Sequence, residues 1–212
     1  PTPARRQQHG QHWNGGETVN AGIGQGFGQV TPLELATYAS RIASGRDVQP
    51  HLIRRVNDTL SDQAALDHAA LLDVDPAHLN IIRGGMFDVI NAPRGTAPKA
   101  RLDIPGVQMA GKTGSAQVRR VSRALRARGP FNSLSLPWEE RPHALFICFA
   151  PFDAPRYAVS VVIEHGNAGA DAAAPLARDI MTDTLTRDPV NRDHEPGQTV
   201  AEAGWGADVP RP

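Results

Sequence analysis

Val107-Gln-Met-Ala-Gly-Lys-Thr-Gly-Ser-Ala-Gln-Val118 is the stretch on which the fold turns, and two opposed readings compete for it. With Gly106 included, Gly106-x4-Gly111-Lys112-Thr113 satisfies the bare pattern of a phosphate-binding loop. Such a loop is an open turn feeding a helix N-terminus, where backbone N–H groups hold the phosphate. Here Val107-Gln-Met-Ala110 is no open turn, and Gly114-Ser-Ala-Gln-Val118 contains no helix start. The segment therefore reads as a strand with Lys112-Thr113-Gly114 in its middle. The other glycine-rich run, Ala21-Gly-Ile-Gly-Gln-Gly-Phe-Gly28, has Phe at 27 and Gln at 29, so neither register gives the dinucleotide fingerprint G-x-G-x-x-G. A nucleotide-binding domain ranks last among the functional readings.

Outward from that strand the pattern is consistent. Ala144–Ala150 and Tyr157–Glu164 are apolar runs joined by Pro151-Phe-Asp-Ala-Pro155, which predicts an antiparallel hairpin. Ala172–Thr186 reads as a helix, apolar at Leu176, Ile180, Met181 and Leu185. Upstream, Asp75-Pro76 is an N-cap followed by proline, opening a helix with Leu79, Ile82, Met86 and Ile90 on one side. Thr31-Pro32-Leu33-Glu34 is a second helix start, with Leu35, Tyr38, Ala39 and Ile42 at helical spacing and Gly45 as the stop. Val48–Val56 reads as extended, residues 1–16 as a polar loop, and 119–142 as an arginine-rich insertion. Residues 188–212, rich in proline and glycine, read as a flexible tail. The order helix, helix, three strands, helix predicts an α+β fold, an antiparallel sheet packed with helices, over residues 1–187.

Composition narrows the function. The 212 residues carry 22 Lys+Arg and 22 Asp+Glu, a formal net charge of zero that argues against nucleic acid or an anionic membrane as main partner. Only Lys99 and Lys112 are lysines; arginine dominates along the whole chain, as codon bias would produce. One cysteine, Cys148, excludes an intrachain disulfide and a four-cysteine zinc site, and it reads as a small buried hydrophobe. The eight histidines show no HExxH or paired spacing, so no metal is predicted, nor any cofactor. His143 and His165 flank the hairpin and read as structural. The longest apolar run, Ala144–Ala150, is far below the roughly 20 residues of a membrane span, and no signal peptide opens the chain.

A Lys-Thr-Gly triplet on a strand is, by itself, equally read as an exposed lysine at a strand end. It resembles, however, the triplet of active-site serine penicillin-recognising enzymes, and that resemblance implies a specific chemistry. An edge strand can pair with an extended peptide, and Gly114 removes a side chain where that peptide comes close. Lys112 is the candidate catalytic residue, a fixed cation that holds a carboxylate and assists proton transfer. Thr113 and Ser115 offer hydroxyls to the same carboxylate, and the Ser115 N–H is a candidate oxyanion donor.

Several blocks occur in a fixed order: Gly22-Ile-Gly-Gln-Gly-Phe27, Thr31-Pro-Leu-Glu-Leu-Ala36, Gly111-Lys-Thr-Gly-Ser-Ala-Gln117, His143-Ala-Leu-Phe-Ile-Cys-Phe-Ala-Pro151, Val159-Ser-Val-Val-Ile-Glu-His-Gly166 and Ala174-Pro-Leu-Ala-Arg-Asp179. Together they resemble the C-terminal half of a class B penicillin-binding protein transpeptidase domain, from about Trp13 to Arg187. Glu164-His-Gly166 and the Ala174–Asp179 block favour the elongation-type enzymes over the division type. The family usually has Thr at the position of Ser115, a change that keeps the hydroxyl. The resemblance implies a penicillin-binding-protein/serine β-lactamase-like fold and a peptidoglycan D,D-transpeptidase that acts through an acyl-serine. Its implied ligands are D-Ala-D-Ala stem peptides and β-lactams, and its implied partners are a lipid II polymerase and other elongation-machinery proteins. It implies a location at the periplasmic face of the inner membrane.

The chain departs from the family in two motifs. Thr96 and Met109 stand three positions before the two lysines, so no Ser-x-x-Lys exists here. No serine is followed two positions later by Asn or Asp either. In the family both motifs precede the glycine-rich block, so the expectation is a C-terminal fragment, inactive alone. The alternative is a non-catalytic remnant or interaction module. Arg119, Arg120, Arg123, Arg126 and Arg128 read as a solvated segment beside the active-site strand rather than a nucleic-acid site. Phe131 and Trp138 either line a groove or cap the core, and Gln25 reads as structural within a turn packed near the active site.

Overall fold

A computed structural model of the chain describes residues 3–8, 10, 12–22, 24, 28–52, 55–56, 59–60, 69–118 and 133–188. The chain divides into two units, Pro1–Thr31 and Pro32–Pro212. The arginine run at 119–128, Phe131, Gln25 and the tail from 189 onward lie outside the described residues.

The first unit corrects the expectation of a loop over residues 1–16. It contains two short helices, α1 (Pro3–Gln8) and α2 (Gly15–Gly22). The cause of the second is legible in retrospect. Asn14 Oδ1 accepts the Glu17 N–H at 3.2 Å while Glu17 Oε2 accepts the Asn14 N–H at 3.0 Å, a reciprocal capping box. Trp13 Nε1 also donates to Thr18 Oγ1 at 2.8 Å.

In the second unit, α3 spans Pro32–Ser44 and ends at Gly45, whose φ of +68° is the left-handed conformation that closes a helix. Among the described residues of 48–56, a strand forms at the end, where β1 (Arg55–Val56) pairs with β2 (Thr59–Leu60). Asp75 Oδ1 caps α4 (Pro76–Asn91) by accepting the Ala77 N–H at 2.8 Å. Arg101 closes the other end of α4, donating to the carbonyls of Ile90 at 3.0 Å and Asn91 at 3.2 Å. Three strands follow: β3 (Ala110–Ala116), β4 (His143–Ala150) and β5 (Tyr157–Ile163). They form one antiparallel sheet in the order β3-β4-β5, with Lys112 opposite Ile147 and Phe146 opposite Val161. A π-helical turn (Gly169–Ala173) leads into α5 (Ala174–Arg187). The predicted hairpin and the predicted α+β order are both present.

Side-chain alternation along β4 sorts the core onto two faces. Ala144, Phe146, Cys148 and Ala150 pack with Val161 against Ala173, Ala174, Ala177 and Met181 of the α5 side. Ile147 and Phe149 face the other way, with Ile42 and Ala43 of α3 and Met86 and Phe87 of α4. The sheet is thus the middle of three layers. Two helix faces differ from expectation. On α5 the buried residues are the alanines and Met181, while Leu176 and Ile180 are exposed. On α4, Met86 and Ile90 are buried but Ile82 is exposed. Among the described residues no helix is long and apolar enough to cross a membrane.

Candidate active site

Lys112-Thr113-Gly114 lies in the body of β3, paired along its length with β4. This removes the phosphate-loop reading, because Gly111 is followed directly by strand to Ala116 and not by a helix N-terminus. β3 is an edge of its sheet among the described residues. Two connections hold its leading end. Asn91 Nδ2 donates to the Met109 carbonyl at 2.9 Å, and the Phe152 N–H donates to the Gln108 carbonyl at 2.8 Å.

Lys112 is exposed, and its Nζ donates to the carbonyl of Thr113 at 2.9 Å. By register Lys112 and Gly114 share the face of Ile147 and Leu145, whereas Thr113 and Ser115 share the face of Phe146 and Ala144. The lysine and the two hydroxyls therefore leave opposite faces of the strand. One carboxylate can meet all three only at the strand's free edge. Gly111 is the most constrained residue of the segment. A Cβ there would stand 2.6 Å from the Phe146 ring and 2.8 Å from the Ile147 carbonyl. At Gly114 a Cβ would lie 3.3 Å from the Leu145 Cβ, tight but with a side chain rather than backbone.

Beyond β3, the turn after β5 closes on the same strand. Asn167, at a φ of +71°, donates its N–H to the Pro142 carbonyl at 2.8 Å. Its own carbonyl accepts the Ser115 hydroxyl at 3.4 Å, and its Oδ1 accepts the hydroxyl of Ser133. Neither Asn167 nor Ser133 is visible in the triplet; the only signal was the turn-rich Gly166-Asn-Ala-Gly169. His143 and His165 flank this end as a structural pair. The His165 N–H donates to His143 Nδ1 at 2.9 Å, and the rings meet at 4.7 Å. His143 therefore carries its proton on Nε2. Trp138 lies against His165 at 4.4 Å between centroids and remains exposed.

Cys148 sits at the sheet centre, and burial pushes its thiol up to about 12, far from a reactive thiolate. Among the described residues no group of three His, Cys, Asp or Glu side chains could hold a metal.

Residues 3–182 match the family model of the penicillin-binding protein transpeptidase domain. The chain is 32% identical over 180 residues to the peptidoglycan D,D-transpeptidase MrdA of Haemophilus influenzae, covering 84% of this chain and 27% of that protein. A crystal structure of Pseudomonas aeruginosa PBP2 in complex with WCK 5153 is similar at 31% identity and a TM-score of 0.68, over 94% of this chain and 39% of that one. The Helicobacter pylori PBP2 in complex with MreC is similar at 26% identity and the same TM-score, over 90% of this chain and 31% of that one. The chain thus spans about a quarter of the MrdA relative's length. With residues 3–182 matched by the family model, this chain belongs to the penicillin-binding protein transpeptidase family and is of the class B, PBP2-like kind.

Proposed function

We propose that this chain supplies the Lys112-Thr113-Gly114 strand of a peptidoglycan D,D-transpeptidase of the PBP2 type, and that the nucleophilic serine lies outside these 212 residues. The observation that carries the reading is the triplet on an edge strand within a matched transpeptidase domain. A stem peptide lies extended along β3 and takes backbone hydrogen bonds from its free edge. The serine hydroxyl attacks the penultimate D-Ala carbonyl, the peptide bond breaks, and the terminal D-Ala leaves with a proton on its amine. An amine of a neighbouring stem then displaces the serine, which regains its proton. Lys112 holds the carboxylate and assists proton transfer, and the Ser115 N–H donates to the developing oxyanion. β-Lactams acylate the same serine. The relatives' role in wall synthesis supports a site on the periplasmic face of the inner membrane. The H. pylori PBP2–MreC complex supports an elongation-machinery partner; a lipid II polymerase is the further partner of this reading.

Fluorescent penicillin tests the reading. The 212-residue chain alone stays unlabelled, while the same chain joined in frame to upstream sequence bearing Ser-x-x-Lys is labelled. Labelling of the chain alone would defeat the external-nucleophile claim. No labelling of the joined polypeptide would defeat the transpeptidase reading and leave the non-catalytic alternative.

A further inference from the structure

We infer that Gly169, more than 50 positions downstream of the Lys-Thr-Gly triplet, is a positioning residue that sets the placement of β3 at Gly114; its catalytic consequence rests on the transpeptidase reading above. The geometry is direct. A Cβ built on Gly169 would stand 2.3 Å from the Leu145 carbonyl oxygen, 2.7 Å from the Gly114 carbonyl oxygen and 3.1 Å from the Gly114 nitrogen. All three are backbone atoms of the cross-strand pair Gly114↔Leu145. No rotamer change relieves such a contact. Gly169 has no positive φ, so the requirement for glycine here is one of space rather than conformation.

Which side yields follows from how each is held. The turn bearing Gly169 is fixed by Asn167 N–H on Pro142 O at 2.8 Å, by Ser133 on the Asn167 side chain, and by Lys99 on Asp171 at 2.7 Å. It runs directly into Ala173 and Ala174, both fully buried. β3, by contrast, is hydrogen-bonded to a neighbouring strand along one edge only among the described residues. An added methyl must push back the Leu145 carbonyl on the central strand and the Gly114 backbone on β3, each by about 1 Å to reach ordinary contact. The edge strand is the one that gives way with less resistance. Gly114 lies between Lys112 and the Ser115 N–H, so the displacement reaches both the cation and the oxyanion donor. Misplacement on that scale costs up to about a hundredfold in rate.

The test uses the penicillin-labelled joined polypeptide with Gly169→Ala, read by acylation kinetics and by hydrogen exchange of peptides covering 110–116. The expected result is a maximal acylation rate about tenfold to a hundredfold lower, full labelling amplitude, and faster exchange in 110–116 than in 157–163. Gly166→Ala is the control for crowding alone: the atoms nearest its Cβ would be side-chain atoms of Ile163 and Ala144, at 2.9 and 3.0 Å, rather than the backbone of β3. It loses stability and keeps the wild-type acylation rate. Wild-type acylation by Gly169→Ala, or equal slowing by Gly166→Ala, overturns the inference. If Gly169→Ala does not fold, Asn167→Gly, which keeps the positive φ but frees Ser133, decides it: a rate about threefold lower supports the inference, and an unchanged rate overturns it. If even the wild type fails to label, the transpeptidase reading falls separately. Hydrogen exchange then judges the positioning claim alone, and unchanged protection of 110–116 in Gly169→Ala overturns it.

Discussion

Replacing Asp188 with alanine should destabilise the chain by about 2–3 kcal/mol, and the structure divides that loss into two parts. Asp188 follows the last turn of α5 at φ 42° and ψ 63°, with its N–H on the Thr184 carbonyl at 2.9 Å. Its Oδ1 accepts the Tyr157 hydroxyl at 2.6 Å and pairs with Arg156, tying the end of α5 to the start of β5. The Arg156 and Asp188 side chains are 13% and 25% exposed, so solvent screening reduces the pair only in part. Losing the carboxylate deprives a largely desolvated guanidinium of its charge partner and removes one hydrogen bond from the Tyr157 hydroxyl, worth about 1.5–2 kcal/mol. Alanine in the left-handed region adds about 1 kcal/mol. Asp188→Gly removes the second part and keeps the first. Asp188→Asn tolerates the backbone and retains an acceptor for Tyr157, so it should cost about 1 kcal/mol. Urea unfolding at fixed m, about 2 kcal/mol per molar, turns these into midpoint shifts of about 1–1.5 M for Ala and about 0.5 M for Asn. A midpoint for Asp188→Ala within 0.2 M of wild type (roughly 0.5 kcal/mol) would refute the clasp. Full recovery in Asp188→Gly would reduce Asp188 to a backbone device.

Lys112→Ala should slow penicillin acylation of the joined polypeptide by about a hundredfold or more while changing stability by less than about 0.5 kcal/mol, since among the described residues its side chain bonds only to its neighbour's carbonyl. Comparable acylation rates would remove Lys112 from the site. Lys112→Val, which leaves a neutral β-branched edge, should raise self-association in sedimentation velocity, whereas Lys112→Arg should not. Cys148 has a folded pKa raised to about 12 from an ordinary 9.0, so between those values the unfolded chain ionises while the folded one does not. Stability contributed by the buried thiol is therefore complete below about pH 9 and falls above it, by at most about 1.4 kcal/mol per pH unit; Cys148→Ala should flatten the decline in denaturation midpoints. Asp75→Ala should cost about 1 kcal/mol by freeing the Ala77 N–H, and Asp75→Ser should recover most of it in the same unfolding assay.

How much of this was legible depended on whether the signal was local. The hairpin could be read because β4 and β5 are two apolar runs bracketed by prolines. The start of α4 could be read because Asp75-Pro76 is a local capping device. The buried face of α5 could not. Periodicity selects the largest apolar residues, Leu176 and Ile180, but close approach to a sheet selects small ones, and Ala173, Ala174 and Ala177 take that face. The helix α2 is not legible because its Asn14/Glu17 box encloses Gly15 and Gly16 and no apolar run follows it. At the site, the triplet announces Lys112, yet Asn167 and Gly169 are joined to it only by the return of the chain after β5.

The glycines around Lys112 follow from one demand on an edge strand. To receive an extended peptide, β3 must leave its outer hydrogen-bonding groups open, so it cannot be stabilised from that side. Its placement has to come from β4 and from the layers above and below. Close packing from those directions requires backbone without side chains. Gly111 lets the Phe146 ring press against the strand, and Gly169 brings the following turn onto Gly114. Asn91 and the Phe152 N–H pin the leading end through Met109 and Gln108. Lys112 then projects from a strand fixed on three sides and free on the fourth, and its charge discourages a second copy from pairing there. On the proposed function, the openness that a peptide substrate needs and the rigidity that acyl transfer needs would be met by different sides of the same seven residues.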